Sequence, residues 1–255
     1  MIKSTVGFLL KKFPRSFLQI ISKPIFSIIT LLYKGNNVLC PICKIELKKF
    51  FPYGRETREN ALCPNCLSLE RHRLLFLYLK SETDVFKKNI NLLHIAPEEC
   101  FINIFKKSKN ISYTTGDLYS PLAEVKMDIH KIPFQNETFD VILCNHVLEH
   151  VDDDKKALKE IERVMKKEGF AILQVPFYYP IPEKTLEDRS IINPAEREKD
   201  YGQSDHVRKY GKDYPERIKS QGMKVNENKF TESFNKEEKK YFGLPDNEVI
   251  YYCYK

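Results

Sequence analysis

The sequence predicts an α/β fold with a mainly parallel sheet, and two observations predict it. From Asn91 onward, apolar runs of six to eight residues alternate with amphipathic stretches, the pattern of strands joined by crossover helices. Polar residues then stand at the ends of successive runs, at Asp117, Asp128, Asn145 and His146, where open parallel sheets hold their ligands. The chain has 255 residues, 42% of them apolar and 30% charged. That suits one domain of ordinary size plus something smaller, and argues against global disorder.

Residues 1–35 are apolar but broken by Lys11, Lys12, Arg15 and Lys23, with Pro14 and Pro24 cutting the stretch into short pieces. The longest uncharged run falls well short of the roughly 20 residues a membrane span needs, and no small-residue cleavage site marks a secretory signal. Two readings fit this segment: a basic helix lying in a membrane interface, and a helical hairpin packed on the domain. The expected location is cytoplasmic, with peripheral membrane contact through this segment. The net charge of +7 comes from scattered lysines, which reads as a solvated basic surface before it reads as a nucleic-acid face.

The next segment, 36–80, carries Cys40-x2-Cys43 and Cys63-x2-Cys66, two knuckles separated by nineteen residues. Two pairs of thiolates in tight turns suit a tetrahedral zinc ion. Four thiolates leave no open position, so the zinc is expected to be structural, stapling a module with little core of its own. The other cysteines, Cys100, Cys144 and Cys253, lie in apolar surroundings, so a reducing compartment is favoured over a disulfide framework. SLERHR, at 68–73, follows the second knuckle. It could bind phosphates, pin the zinc module to the main domain or line a pocket, and the last two are favoured.

A helix is expected over 67–80, with Leu74, Leu77 and Tyr78 at helical spacing. The main domain, 85–255, then reads strand 91–96, helix 97–107, strand 111–118, short strand 124–129, strand 139–145, helix 152–167 and strand 169–175. Residues 177–209 are polar and irregular, as functional loops often are. A helix over 210–221, a strand over 224–230 and an aromatic strand over 249–254 complete the chain. Asp117, after the second strand, can accept hydrogen bonds from both hydroxyls of a ribose, or cap an Asx turn. Asp128 with Ile129 suits the amine edge of an adenine.

The segment MDIHKIPFQNETFDVILCNHVLEHV, followed by ERVMKKEGFAILQVP, resembles the class I S-adenosylmethionine-dependent methyltransferases of the type 11 group. The resemblance runs over about 91–255. It implies a Rossmann-like seven-stranded sheet with the last strand antiparallel, and S-adenosylmethionine held along the ends of the first four strands. On that basis Asp117 with Leu118 matches the ribose contact, Asp128 with Ile129 the adenine contact, and Asn145 with His146 the loop beside the methionine portion. In place of the family's glycine loop the chain reads LLHIAPEEC, putting His94, Ala96 and Glu98 against the cofactor, with Glu98 to receive its ammonium group. The words HIAPE, SLERHR and GQSDHVRKYG, behind a zinc-like cysteine front, are similar to those of a subgroup of the family.

Methyl transfer from a sulfonium needs alignment first and a base only when the acceptor must lose a proton. GQSDHVRKYG supplies the acceptor side: His206 as base tuned by Asp205, Arg208 and Tyr210 on the substrate, with His146 a competing base. A small-molecule, glycan or lipid-linked acceptor is favoured over nucleic acid. Two other classes stay open at this stage. A nicotinamide oxidoreductase lacks its GxGxxG turn here, and a zinc-ribbon binding module with a degenerate, cofactor-free domain is the stronger rival.

Overall fold

The computed structural model describes residues 30–54 and 57–255. The membrane-interface and hairpin readings of the first segment fall mostly on residues outside this range. Among the described residues no helix is long and apolar enough to cross a membrane. The chain forms two units. One takes the described residues up to Leu77 together with Phe234–Asp246; the other takes Tyr78–Ser233 and Asn247–Lys255.

The first unit contains two small antiparallel pairs, β1 (Lys34–Leu39) with β2 (Glu46–Leu47) and β3 (Phe51–Tyr53) with β4 (Arg58–Leu62). Helix α1 (Glu70–Ser81) follows the second knuckle. Arg73 is fully buried in this unit, stacked 4.1 Å from the ring centroid of Phe50. Its guanidinium donates to the carbonyls of Ser68 (2.9 Å), Ala61 (2.9 Å) and Gly243 (2.6 Å). These bonds tie the knuckle, β4 and the end of the distant helix α6 (Lys236–Phe242) into one core. Gly243 is required there: its φ is 58°, and a Cβ would lie 2.6 Å from the Phe50 ring and 2.7 Å from Arg73 Nη2. Of the roles open to SLERHR, its last arginine, Arg73, has a structural one inside this unit, buried away from any phosphate.

The second unit is built on a seven-stranded sheet. Its strands are β5 (Ile90–Ile95), β6 (Ile111–Asp117), β7 (Val125–Lys126), β8 (Phe139–Asn145), β9 (Met165–Gln174), β10 (Lys224–Asn228) and β11 (Ile250–Tyr254). The order across the sheet is β10-β11-β9-β8-β5-β6-β7. The first five strands in the sequence pair in parallel, and β11 runs antiparallel to both β9 and β10. The Rossmann-like expectation, with its antiparallel last strand, is therefore met. Strand β8 is buried almost throughout, as a central parallel strand covered on both faces must be.

Helix α2 (Glu99–Lys107) follows β5, and α3 (Asp154–Val164) follows β8. Asp153 caps α3 by accepting from Lys156 N at 3.0 Å, and Ala157, Leu158, Ile161 and Val164 form its buried stripe. The helix stops at Val164 rather than at 167 because Met165 already pairs with Phe139 of β8. Gly169 sits at the bulge that follows, where a Cβ would come within 2.8 Å of Asp140 O. The expected strand 124–129 shrinks to Val125–Lys126, since Asp128 and Lys131 close a turn instead. The irregular stretch 177–209 contains a helix that the periodicity did not show, α4 (Pro194–Tyr201), between an Asn193 cap and left-handed Gly202. Helix α5 (Tyr214–Lys219) is shorter than expected because Pro215 belongs to its first turn.

Candidate active site at the strand ends

Strand order reverses at β5, which has β6 on one side and β8 on the other. The register aligns Ile95 with Gly116 and Cys144, and Asn145 with Gln174, so the carboxyl ends of four strands are level. Such a switch point leaves a crevice for ligand. Both strands flanking it end on a residue forced into the left-handed region, Ala96 (φ 50°) after β5 and His146 (φ 55°) after β8. Strained backbone of this kind gathers at functional sites. Ala96 thus adopts the turn that glycine would make, with its N–H donating to Gly116 O at 2.9 Å.

A polar relay organises the crevice floor. Burial and the nearby Glu98 charge push the Tyr113 phenol well above its ordinary value, so its hydroxyl stays a donor and points at His94 Nδ1, 2.8 Å away. His94 must then present Nε2–H, which meets a Glu98 oxygen. Asn145 Nδ2 donates to the other Glu98 oxygen at 3.1 Å. Glu98 is consequently held between two strand ends. His94 is fully buried; contrary to its expected place against the cofactor, it orients Glu98 from beneath. Asn145 Oδ1 is buried with no hydrogen-bond partner among the described residues.

Asp117 Oδ1 accepts from Tyr119 N (2.7 Å) and Ser120 N (2.5 Å), which is the Asx turn; its Oδ2 is not part of that turn. Leu118 is 37% exposed beside it. Asp128 Oδ1 is engaged by the backbone N–H and Nδ1 of His130 at 2.9 and 2.7 Å. The backbone bond first, and the imidazole after it, hold the Asp128 carboxyl below the usual range. The Ile129 side chain is buried in the core, leaving only its backbone for a ligand.

The acceptor-side expectations change most. Arg208 is buried, and its guanidinium donates to Leu148 O and Val151 O (2.5 Å each), Asp152 O (3.1 Å) and Glu187 (3.0 Å). Tyr210, also buried, donates to Asp154 at 2.9 Å. Both are struts that fasten the loop 203–213 to the turn and helix start after β8, with four of the five guanidinium N–H groups and the phenol already bonded within the protein. Asp205 acts on His206 through its charge alone, the smallest of the influences there, while its carboxylate and carbonyl face His150 Nδ1 at 3.4 and 3.3 Å. His206 is fully buried, with Nδ1 on Tyr201 O at 3.1 Å and Nε2 without a partner among the described residues. Burial, outweighing the Glu149 charge, keeps its pKa below the ordinary histidine value. His146 Nδ1 lies 3.5 Å from Glu149 Oε1, and its Nε2 is likewise buried and unpartnered. The Glu149 side chain is 1% exposed, and its Oε2 has no hydrogen-bond partner among the described residues; the sequence signal for it is its place in the H-x-x-E-H word at 146–150.

In the first unit the two knuckles share one backbone design. The N–H groups of Lys44 and Leu67 return to Cys40 O and Cys63 O at 2.9 Å, and both residues take positive φ. Cys40 and Cys66 sulfurs are 3.6 Å apart, Cys43 and Cys63 sulfurs 3.7 Å. Sulfurs at the corners of a zinc tetrahedron with bonds of about 2.3 Å stand about 3.8 Å apart, so the donor set fits that ion. The Ser68 hydroxyl lies 3.4 Å from Cys40 Sγ and 3.2 Å from Cys66 Sγ. Hydrogen bonding from Cys43 pulls Cys40 far below an ordinary thiol, while proximity to Cys40 pushes Cys63 and Cys66 up.

Residues 90–173 match the family model described as a methyltransferase domain. A 48-residue stretch is 48% identical to an uncharacterized protein of Methanocaldococcus jannaschii, covering 19% of this chain and 21% of that one. A 49-residue stretch is 39% identical to the uncharacterized methyltransferase YcgJ of Bacillus subtilis, covering 19% of each. These matches span about a fifth of the curated relatives. Among solved structures, the complex between the Haloferax volcanii Trm112 methyltransferase activator and a candidate methyltransferase matches with a TM-score of 0.50 at 14% identity. That match covers 72% of this chain and 90% of the other, and speaks for the fold alone. Residues 90–173 are thus similar in sequence to a methyltransferase domain, and they lie on a sheet of Rossmann-like strand order.

Proposed function

We propose that the protein transfers a methyl group from S-adenosylmethionine to an acceptor held over the ends of β5 and β8, with a structural zinc ion on Cys40, Cys43, Cys63 and Cys66. The observation that carries this reading is the floor of the crevice: an oriented Glu98 carboxylate beside an orphaned, buried Asn145 carbonyl, both between left-handed turns. Buried polar atoms without partners are rare, and here the missing partner suits a cationic donor such as an ammonium group. When bound, S-adenosylmethionine supplies a methyl group already activated by its sulfonium.

Asp117 Oδ2 accepts the ribose hydroxyls, Asp128 and the Ile129 backbone take the adenine edge, and Glu98 with Asn145 Oδ1 receives the ammonium. An acceptor that must lose a proton has His146 beside it, with Nε2 unprotected by any bond. Arg208 and Tyr210 act indirectly, by fixing the loop that covers this side. A small molecule, a glycan or a lipid-linked precursor is the favoured acceptor class. Incubating the full chain with methyl-labelled S-adenosylmethionine and fractionated small-molecule extract tests the reading. It expects label in an acceptor fraction and matching S-adenosylhomocysteine, both lost in Asn145→Ala; label transfer unchanged by Asn145→Ala contradicts the site.

A further inference from the structure

The turn after β8 and the loop 203–213 are joined by one backbone bond, Val207 N to Glu149 O at 2.9 Å. That bond brings Glu149, His150 and His206 together, with one donor atom from each within 4.8 Å of the others. The group is buried where it matters: the Glu149 side chain is 1% exposed, and His206 is 0% exposed. Glu149 Oε2 and His206 Nε2 both lack any hydrogen-bond partner among the described residues. A buried carboxylate oxygen facing an imidazole nitrogen without a bond is costly unless a cation lies among them.

The imidazoles are also oriented as ligands are. Each ring has its Nδ1 directed at an oxygen: His206 at Tyr201 O (3.1 Å), His150 at Asp205 O (3.3 Å) and at the Asp205 carboxylate (3.4 Å). A proton on Nδ1 leaves the Nε2 lone pair turned inward, the arrangement that supports metal-bound histidines. The rings meet edge to face, 4.8 Å between centroids. His150 Nε2 stands 3.8 Å from Glu149 Oε1, too far for a hydrogen bond. Atoms that share one ion at bond lengths of about 2.0–2.2 Å are separated by roughly 3.3–3.6 Å in a tetrahedral site, so a small side-chain adjustment closes the set.

We propose that Glu149, His150 and His206 bind a divalent transition-metal cation. Two imidazole nitrogens and one carboxylate are a borderline donor set suited to zinc and its neighbours in the series. Three protein ligands leave at least one position open, in contrast to the closed four-thiolate set, and that position takes an oxygen ligand, a water or a hydroxyl. The site adjoins His146 in the chain, on the acceptor side of the crevice. It stands on its own geometry and does not depend on methyl transfer.

Equilibrium dialysis of the full chain against buffered zinc, followed by elemental analysis, tests it through a difference that the cysteine site does not affect. Wild type is expected to hold one equivalent more than His206→Ala, and one more than His150→Gln. The second variant guards against misfolding, because the His150 side chain is 35% exposed and glutamine is close to it in size and polarity; circular dichroism checks both. Zinc content equal in wild type and folded His150→Gln overturns the proposal.

Discussion

Ala96 holds a left-handed turn that costs a residue with a Cβ about 1–2 kcal/mol, in a place where the backbone passes within hydrogen-bond reach of Gly116. Glycine removes that strain and gives back about 0.5–1 kcal/mol in unfolded-chain freedom. Ala96→Gly is therefore expected to raise stability by about 0.5–1 kcal/mol, measured from the urea midpoint; a loss would show that the methyl group packs usefully. What the sequence made legible was the placement of residues at strand ends, because a run of alternating or apolar residues fixes where a strand stops. Asp117, Glu98 and Asn145 all stand there. What could not be read was burial of charge. Nothing in GQSDHVRKYG distinguishes an arginine that grips an acceptor from one that grips four backbone and side-chain oxygens, and Arg208 is the latter.

At the scale of elements, the loop 203–213 and helix α5 are anchored on α3 through Asp154. Its side chain is 2% exposed and bonds Arg217 at 2.7 and 2.9 Å and Tyr210 at 2.9 Å. Burial alone would raise the Asp154 carboxyl, but the Arg217 hydrogen bond and the Arg208 and Arg217 charges outweigh it and hold the pKa below its ordinary value. A depressed carboxylate contributes stability that is complete above the unfolded value, roughly 3.9, and disappears as pH falls through the lower folded value. Asp154→Ala leaves the buried Arg208 and the half-buried Arg217 short of a partner and is expected to cost about 3–5 kcal/mol at neutral pH. The gap between wild type and variant, read by urea unfolding, should narrow once pH drops below about 4; a gap independent of pH contradicts the ion-pair account. Element ends were the least legible part. Helix α3 yields Met165 to the sheet, a tertiary claim that overrides an unbroken helical pattern. Helix α4 was announced by its Asn193-Pro194 start and Gly202 stop, signals that polar composition around them obscured.

For the molecule as a whole, the alternation of strands and helices gave the sheet, yet it could not show that Phe234–Asp246 belongs to the cysteine-bearing unit. That membership rests on contacts such as Arg73 to Gly243, separated by 170 positions, which no local period encodes. If zinc staples this unit, Cys63→Ser should lose the equivalent held by the four thiols together with the unit's near-ultraviolet signal; retention of full zinc content contradicts the assignment. The central claim is that the crevice at the ends of β5, β6 and β8 binds S-adenosylmethionine. Calorimetric titration of the folded, zinc-loaded chain with S-adenosylhomocysteine tests it most directly. One site per chain is expected, weakened by about 1–3 kcal/mol in Asp117→Ala through the lost ribose hydrogen bonds. No heat from the wild-type chain would contradict the account and leave a cofactor-free binding module in its place.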